Sequence, residues 1–401
     1  MSLMLTITPR DPLIARDGRP FGVGSSERMR SLDWPYPSVL AGSLRTLVGK
    51  LAGGKFDSET VKELKRLAVA GPLPLLEGQL YFPVPADLAV RPGDGRCFAA
   101  RPAEPGGGEG CDLPHGSLRP VMLPLADEDE DFKPADVPRF FSTERLSEWL
   151  SGTPEWSFDA VQAGPKNGKT AWCAEGFLPA PETEARWHVR IDADTGAAAE
   201  SQLFMTAGLD YHLRLAGGPE LSLVRLAARI DDPSAFEEHL KGLAHLHPMG
   251  GERRLAYWET GNGAAAGWGC PERVKEKLAR TKKVRLVLAT PAVFSAGWRP
   301  GWLEETPEGF AGTVPGTSVR VRLAGVSIGR WQPVSGWSLE KSSFGPKPVR
   351  RLVPAGGVYF FEVIGGDVAE LAGKWLAPVC DDGQHNREGF GLAVWGVWDS
   401  Q

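Results

Sequence analysis

The stretch WPYPSVLAGSLRTLVGKL, residues 34–51, has a clear helical pattern. Its apolar positions follow the 3.6-residue period of a helix and form one stripe: Leu40, Leu44, Leu47, Val48 and Leu51. Ser38, directly after Pro37, is a suitable helix start. The stretch therefore predicts an amphipathic helix that packs its apolar face on a core.

The opposite face of this predicted helix carries Ser38, Gly42, Arg45 and Gly49 at helical spacing. A glycine inside a helix costs about 1 kcal/mol relative to alanine, so two on one face indicate that another group approaches closely. Close packing against a strand is one explanation. The other is a phosphate backbone at the start of the helix, with Arg45 as its cation.

Around this helix the sequence predicts the order strand, helix, strands, helix and strand, with insertions. Strands are predicted at residues 5–8, 75–84 (one strand or a hairpin), 187–192, 203–215, 221–230 and 255–258. Further helices are predicted at residues 60–70 and after Asp232. This order is that of a ferredoxin-like (RRM-like) βαββαβ domain, here over residues 4–262. Residues 88–184 are rich in Gly and Pro and have no periodicity, which predicts a long irregular insertion in this domain.

A second ferredoxin-like domain is predicted over residues 270–401, so the fold class is α+β. Its strands are predicted at residues 285–290, 319–323, 357–364 and 391–395. Asp367 is expected to cap a helix that continues to Trp375. Between the first two strands of this domain the sequence is irregular, so the helix that the order requires there has no periodic pattern behind it.

The net charge of −5, from 45 basic and 50 acidic residues, argues as an average against a nucleic-acid binder. The charge is unevenly distributed, however. Residues 271–351 contain 15 basic and six acidic residues, and residues 1–50 contain seven and four. The sequence therefore predicts one basic and one acidic surface.

Several function classes lack the residues they need. The segment Gly164 to Thr170 (GPKNGKT) is one residue too short for a phosphate-binding P-loop. The five cysteines are scattered without a CxxC pair, and His245 and His247 have no third ligand nearby, so no metal site or cofactor is predicted. No apolar run spans a membrane and no signal peptide is evident, so a cytoplasmic protein is expected.

Two segments have the composition of a nucleic-acid contact. Residues 341–351 (KSSFGPKPVRR) follow Trp331 and Trp337, and cations beside aromatic rings suit single-stranded RNA, although a solvated loop beside core tryptophans fits equally well. Residues 389–396 (GFGLAVWG) form a glycine-rich turn before a strand. Such a turn is either a plain tight turn or a loop whose exposed N–H groups grip a phosphate backbone.

Taken in order, seven segments resemble one family, the RAMP superfamily, and within it the third subunit of the Cmr-type (type III-B) CRISPR effector complex. The segments are PRDPLIARDGRPF (9–21), WPYPSVLAGSLRT (34–46), GGERR (250–254), LVLATPAVFSAGW (286–298), SGWSLEK (335–341), PKPVRRLVPAGGVYFFEV (346–363) and REGFGLAVWG (387–396). The resemblance covers almost the whole chain and is least at residues 88–184.

The resemblance implies a non-catalytic subunit that holds the 5′ handle of the guide crRNA. It also implies contacts with the large polymerase/cyclase-type subunit and with a backbone RAMP subunit. RNA-binding roles carry over to the matching positions, together with Gly42 from the polar face of the first helix: Arg16, Arg19, Ser38, Gly42, Arg45, Arg253, Arg254, Lys347, Arg350, Arg351, Gly389, Gly391 and Gly396.

Two rival functions remain open. Some relatives cleave RNA with a histidine near the first helix, whereas residues 1–50 of this chain contain none, which favours a binder over a guide-processing endoribonuclease. A scaffold that contacts only protein partners is the second rival. The sequence therefore predicts no catalytic residue and no enzyme activity.

Overall fold

The computed structural model describes residues 2–16, 29–106, 112–125, 131–152, 158, 176–214, 221–261, 267–338 and 344–398. These residues form a strand-rich mixture of helices and strands around two antiparallel sheets. Arg19, the P-loop-like segment 164–170 and Lys341 were singled out above and lie outside the described residues.

The N-terminal sheet has eight strands among the described residues. In spatial order they are β15 (Ala244–Pro248), β16 (Leu255–Thr260), β1 (Leu3–Pro9), β14 (Arg225–Asp231), β2 (Ala68–Leu76), β3 (Gln79–Pro83), β8 (Phe140–Ser142) and β9 (Phe177–Leu178). The central strand β1 pairs with β16 on one side and with β14 on the other, so Ile7 lies opposite both Trp258 and Leu226.

The helix predicted after Pro37 is confirmed as α1 (Pro37–Leu51). Leu40, Leu44 and Leu47 are buried in one core cluster with Leu5 and Ile7 of β1. Helix α2 (Ser58–Arg66) follows and is capped by Asp57, whose Oδ1 accepts from the Thr60 N–H at 2.9 Å. The predicted helix after Asp232 is short: a 3-10 turn (Ser234–Phe236) leads into α4 (Glu237–Leu240).

The C-terminal sheet has seven strands in the described part of the chain. In spatial order they are β18 (Leu303–Thr306), β19 (Gly309–Thr313), β20 (Arg320–Ser327), β25 (Val358–Gly365), β17 (Lys283–Leu288), β27 (Leu392–Val397) and β26 (Ala377–Pro378). In chain order, the hairpin β18–β19 follows β17 and precedes β20, where the predicted βαββαβ order required a helix. That expectation is wrong, because residues 289–319 are fully described and contain no helix.

Three helices accompany the C-terminal sheet in the described residues. They are α5 (Glu272–Leu278), a 3-10 helix (Val368–Lys374) and α6 (Gly383–Glu388). The cap predicted for Asp367 is confirmed, since its Oδ1 accepts from the Ala369 N–H at 3.0 Å.

The segment 88–184 is less irregular than predicted. It contains the short strand pairs β4 (Leu88–Val90) with β5 (Cys97–Ala99) and β6 (Arg101–Pro102) with β7 (Val121–Met122), and helix α3 (Thr143–Leu150). Leu146, Trp149 and Leu150 of α3 form a buried stripe at i, i+3 and i+4. They belong to a core cluster shared with β2 and the C-terminal sheet, so part of the insertion joins the two sheets.

A buried ion pair completes this junction. Arg285 of β17 donates to the Asp87 carboxylate and to the Trp149 carbonyl, and the Trp149 Nε1–H donates to Asp87 Oδ1 at 2.9 Å. Asp87 is fully buried and Arg285 is 2% exposed. We call these three residues the buried ion-pair junction.

The remaining described strands form two-stranded hairpins outside the sheets. They are β10 (Glu182–Ile191) with β11 (Ala198–Asp210), β12 (His212–Arg214) with β13 (Leu221–Leu223), β21 (Gln332–Val334) with β24 (Arg350–Leu352), and β22 (Trp337–Ser338) with β23 (Gly345–Pro346). Within the described ranges, no helix has the length and apolar character needed to cross a membrane.

Candidate functional site

Arg45 projects from α1 into the interior. Its Nη2 donates to the carbonyls of Leu67 at 2.8 Å and Arg387 at 3.1 Å, and Nη1 lies 3.7 Å from Glu388 Oε1. The residue is 8% exposed, and burial lowers the pKa of its guanidinium although Glu388 opposes the shift. The predicted phosphate contact is therefore corrected: Arg45 ties α1 to α6 and to the start of β2.

The two glycines on the same face of α1 differ. A Cβ on Gly49 would lie 2.6 Å from the Phe56 ring, so this glycine permits close packing. A Cβ on Gly42 would meet nothing within 4 Å, and Gly42 is exposed beside the half-buried Ser38. Gly49 is therefore closely packed, although against Phe56 and against Leu64 of α2 and not against a strand, whereas the first turns of α1 remain accessible at Gly42.

The glycine-rich segment 389–396 lies inside the protein. Gly389 ends α6 in the left-handed region, with φ of 91°, and a Cβ there would lie 2.5 Å from the Val69 carbonyl. The Gly391 N–H donates to Pro291 O at 2.8 Å, and a Cβ on Gly396 would lie 2.6 Å from Leu150 O. The prediction of exposed N–H groups is thus corrected: Gly389 lets α6 approach β2, and Gly396 lets β27 approach α3.

The GGERR segment packs beside the start of α1. The Gly251 N–H donates to Ile14 O at 2.8 Å, and a Cβ on Gly250 would lie 3.8 Å from Val39 of α1. Arg253 is exposed, as is Arg16, whereas Arg254 is half-buried. The Arg254 Nε has no hydrogen-bond partner among the described residues.

The predicted basic segment forms a second exposed group of cations. We define the basic hairpin as residues 330–334 and 344–352, which include β21 and β24. Lys347, Arg350 and Arg351 are exposed on it. Neither of its two parts contains an aspartate or a glutamate, so nothing within it neutralises these cations.

The basic hairpin is anchored to the rest of the protein at two points. Tyr36, before α1, lies with its Oη 3.5 Å from Gln332 Oε1, and Arg350 Nη1 contacts His385 Nε2 of α6. His385 is buried, which lowers its pKa, and the positive Arg350 lowers it further. A neutral imidazole therefore faces Arg350 and accepts its N–H.

The start of α1 consequently contacts two elements that carry exposed predicted residues. Tyr36 lies beside Gln332 of the basic hairpin, and Val39 lies beside Gly250 of the GGERR segment. The structure does not bring Arg45, Gly389, Gly391 or Gly396 to this surface. His385 was passed over in the sequence because it is isolated there, and only its contact with a residue 35 positions away identifies it.

No group of three or more potential metal ligands occurs in the part of the chain that the structure describes. Cys97, Cys270 and Cys380 are buried free thiols, and burial raises the pKa of each to about 12. Protonated thiols of this kind are poor nucleophiles and poor metal ligands.

Comparison with known families assigns the chain to the CRISPR-associated proteins. It matches the family model described as CRISPR-associated protein (Cas_Cmr3) over residues 5–398, and it belongs to this family. No curated protein matches it.

Solved structures of CRISPR complexes are similar to this chain at low identity. A type III-B Cmr-beta bound to cognate target RNA and AMPPnP aligns at 12% identity, with a TM-score of 0.47, covering 89% of this chain and 86% of that chain. A second structure of Cmr-beta bound to cognate target RNA aligns at 14% identity with a TM-score of 0.46 and the same coverage. A Csm3-Csm4 subcomplex of a type III-A interference complex aligns at 12% identity with a TM-score of 0.40, covering 91% of this chain and 94% of that chain.

Proposed function

We propose that this chain is a non-catalytic RNA-binding subunit of a type III-B CRISPR-Cmr effector complex, and that it holds the 5′ handle of the guide crRNA. Family membership supports the complex. The single observation that carries the RNA-binding role is the exposed, acid-free basic hairpin.

Phosphate chemistry explains why this hairpin suits RNA. Cations that bind phosphates release condensed counterions, which supplies sequence-independent affinity. Lys347, Arg350 and Arg351 are exposed and lie within five residues of one another, so one short segment presents three cations to a phosphate backbone. Arg350 is oriented by His385, which reduces the entropy that it loses on binding.

The start of α1 would continue the RNA path from the basic hairpin toward Arg253. This 15-residue helix has no side-chain cap and no acidic residue in its first turn. The partial positive charge of a helix N-terminus attracts phosphates. Ser38 and Gly42 supply a polar, sterically open surface there, and Arg16 and Arg253 supply cations.

The same proposal includes the fold units and the partners. The chain order β1, α1, β2, β14, α4, β16 forms the spatial order β16-β1-β14-β2, which supports a ferredoxin-like N-terminal domain. The strands β20-β25-β17-β27 support a second one that lacks its first helix. We propose a cytoplasmic location, and as protein partners the large polymerase/cyclase-type subunit and a backbone RAMP subunit.

Photo-crosslinking tests the RNA-binding role. The assembled complex would be reconstituted with guide RNA carrying 4-thiouridine in the handle, irradiated and digested. We expect crosslinks to peptides from residues 330–352 and 250–254. Crosslinks that reach the other subunits and never this chain would favour a scaffold that contacts only protein.

Incubation of the chain with repeat RNA tests the non-catalytic role. The first histidine of the sequence is His115, far along the chain from α1, so we expect the RNA to stay intact. Specific cleavage that persists after a second purification step would instead identify a guide-processing endoribonuclease.

A further inference from the structure

We infer that Trp331 is a stacking platform for one unpaired nucleobase of the bound RNA, and that Arg351 positions its ring. The inference rests on the proposed function and adds to it the part of the RNA, a base face, that the basic hairpin recognises. Phosphate contacts alone position a strand, whereas a base contact also fixes which nucleotide lies where.

The geometry of Trp331 is that of an open platform. Its side chain is 48% exposed at the entrance of β21, and the guanidinium of Arg351 lies 4.9 Å from the ring centroid. Arg351 is held in place because β24 pairs with β21, with Arg351 opposite Pro333. A cation over an indole face is favourable and limits the ring's rotation, so the exposed part of the ring is presented in a fixed orientation.

The surroundings of Trp331 select a nucleotide over other flat ligands. Arg330 precedes Trp331 in the chain and the Arg351 guanidinium lies over the ring, so a base stacked on the indole would have its phosphate beside cations. Arginine and aromatic side chains that alternate in this way suit single-stranded nucleic acid. A neutral aromatic ligand would leave these cations without partners.

A second exposed tryptophan provides the contrast. Trp187 of β10 is 56% exposed, but alternation along the strand places it on the face of Ala185 and Val189, opposite Arg186 and Arg190. No cation of its own strand therefore shares the face of this indole. Other tryptophans, such as Trp149, Trp258 and Trp395, are fully buried in the cores. Trp331 therefore combines an exposed indole with a guanidinium over its ring.

The test measures handle-RNA affinity in the assembled complex for Trp331→Ala, Trp331→Phe and the matched control Trp187→Ala. Stacking of one base predicts that Trp331→Ala weakens binding roughly 5- to 150-fold. Trp331→Phe retains most of the affinity and Trp187→Ala retains all of it. Because no charge is removed, the dependence of log K on log salt stays unchanged in all three variants.

Abasic nucleotides identify the stacked base. An abasic site moved along the handle weakens wild-type binding at one position by the same factor as Trp331→Ala, and has no further effect there in that variant. The inference is overturned if Trp331→Ala binds like Trp187→Ala, or if no abasic position interacts with the substitution. Handle RNA that fails to crosslink to the wild-type chain would instead contradict the proposed function itself.

Discussion

The buried ion-pair junction and the basic hairpin use the same residue type for opposite purposes. At the junction, the buried Arg285 donates to the Asp87 carboxylate and to the Trp149 carbonyl, so its charge is paired inside the protein. On the hairpin, Arg350 and Arg351 lie at the surface with no carboxylate in either segment. Burial and partners, rather than residue type, separate the arginines that hold the two sheets together from those available to a ligand.

Arg45 and the glycine-rich segment fall on the junction side of this comparison. Both have the composition of an RNA contact, yet Arg45 donates to internal carbonyls and Gly389 packs against β2. These internal contacts also support the basic hairpin. Arg45 holds α6 in place, and His385 of α6 contacts Arg350 of the hairpin.

The largest effect is expected from Asp87→Ala at the junction. Removal of one partner of a buried ion pair leaves the other charge uncompensated, which costs about 3–5 kcal/mol of unfolding free energy. Urea denaturation of the full chain measures it. Asp94→Ala is the control, since Asp94 pairs with Arg91 at the surface, and it should change the urea midpoint far less. Equal urea midpoints for Asp87→Ala and Asp94→Ala would contradict the claim that the buried ion pair stabilises the protein more than the surface pair does.

Gly389→Ala and Gly42→Ala are expected to change the free energy of unfolding in opposite directions. Alanine at Gly389 would need a left-handed backbone and would meet the Val69 carbonyl, which costs about 1–3 kcal/mol or more. Alanine at Gly42, in an open helical position, should stabilise the protein by about 0.5–1 kcal/mol. Thermal melting compares the two variants with wild type. A destabilising Gly42→Ala would mean that the first turns of α1 are covered.

A smaller effect, dependent on pH, is expected from His247 of β15. Burial, with the positive Lys50 adding to it, lowers the pKa of this imidazole to about 4. The unfolded imidazole binds a proton below about pH 6.5 while the folded one stays neutral, so stability falls as the pH drops from about 6.5 toward 4. His247→Gln should flatten this part of the stability profile. His245→Gln, at an exposed position two residues earlier in the same strand, should leave most of the slope in place.

Local patterns in the sequence predicted elements whose contacts are local. The apolar stripe of α1 and the cap at Asp367 are both set by residues within a few positions. Both are confirmed, except that Leu51 at the end of the stripe is exposed. The periodic stripe of Leu146, Trp149 and Leu150 was also present in the sequence, and the surrounding Gly- and Pro-rich stretch obscured it.

The fate of individual site residues depends on contacts between distant parts of the chain. Arg45 bonds to Arg387, which is 342 positions away, and Gly389 meets β2, so no spacing rule reveals that either is internal. The basic hairpin was predictable as a surface because its sequence places Lys347, Arg350 and Arg351 close together. Its contacts with Tyr36, before α1, and with His385 of α6 could not be predicted from the sequence.

The salt dependence of handle-RNA binding by the assembled complex tests the central claim most directly. Each phosphate contact on a single strand contributes about 0.7 to the slope of log K against log salt. The double variant Arg350→Ala/Arg351→Ala should therefore reduce the magnitude of this negative slope by about 1.4. The control Arg273→Ala/Lys277→Ala, on the exposed face of α5, should leave the slope unchanged. A wild-type slope in the hairpin variant would contradict RNA binding by the basic hairpin.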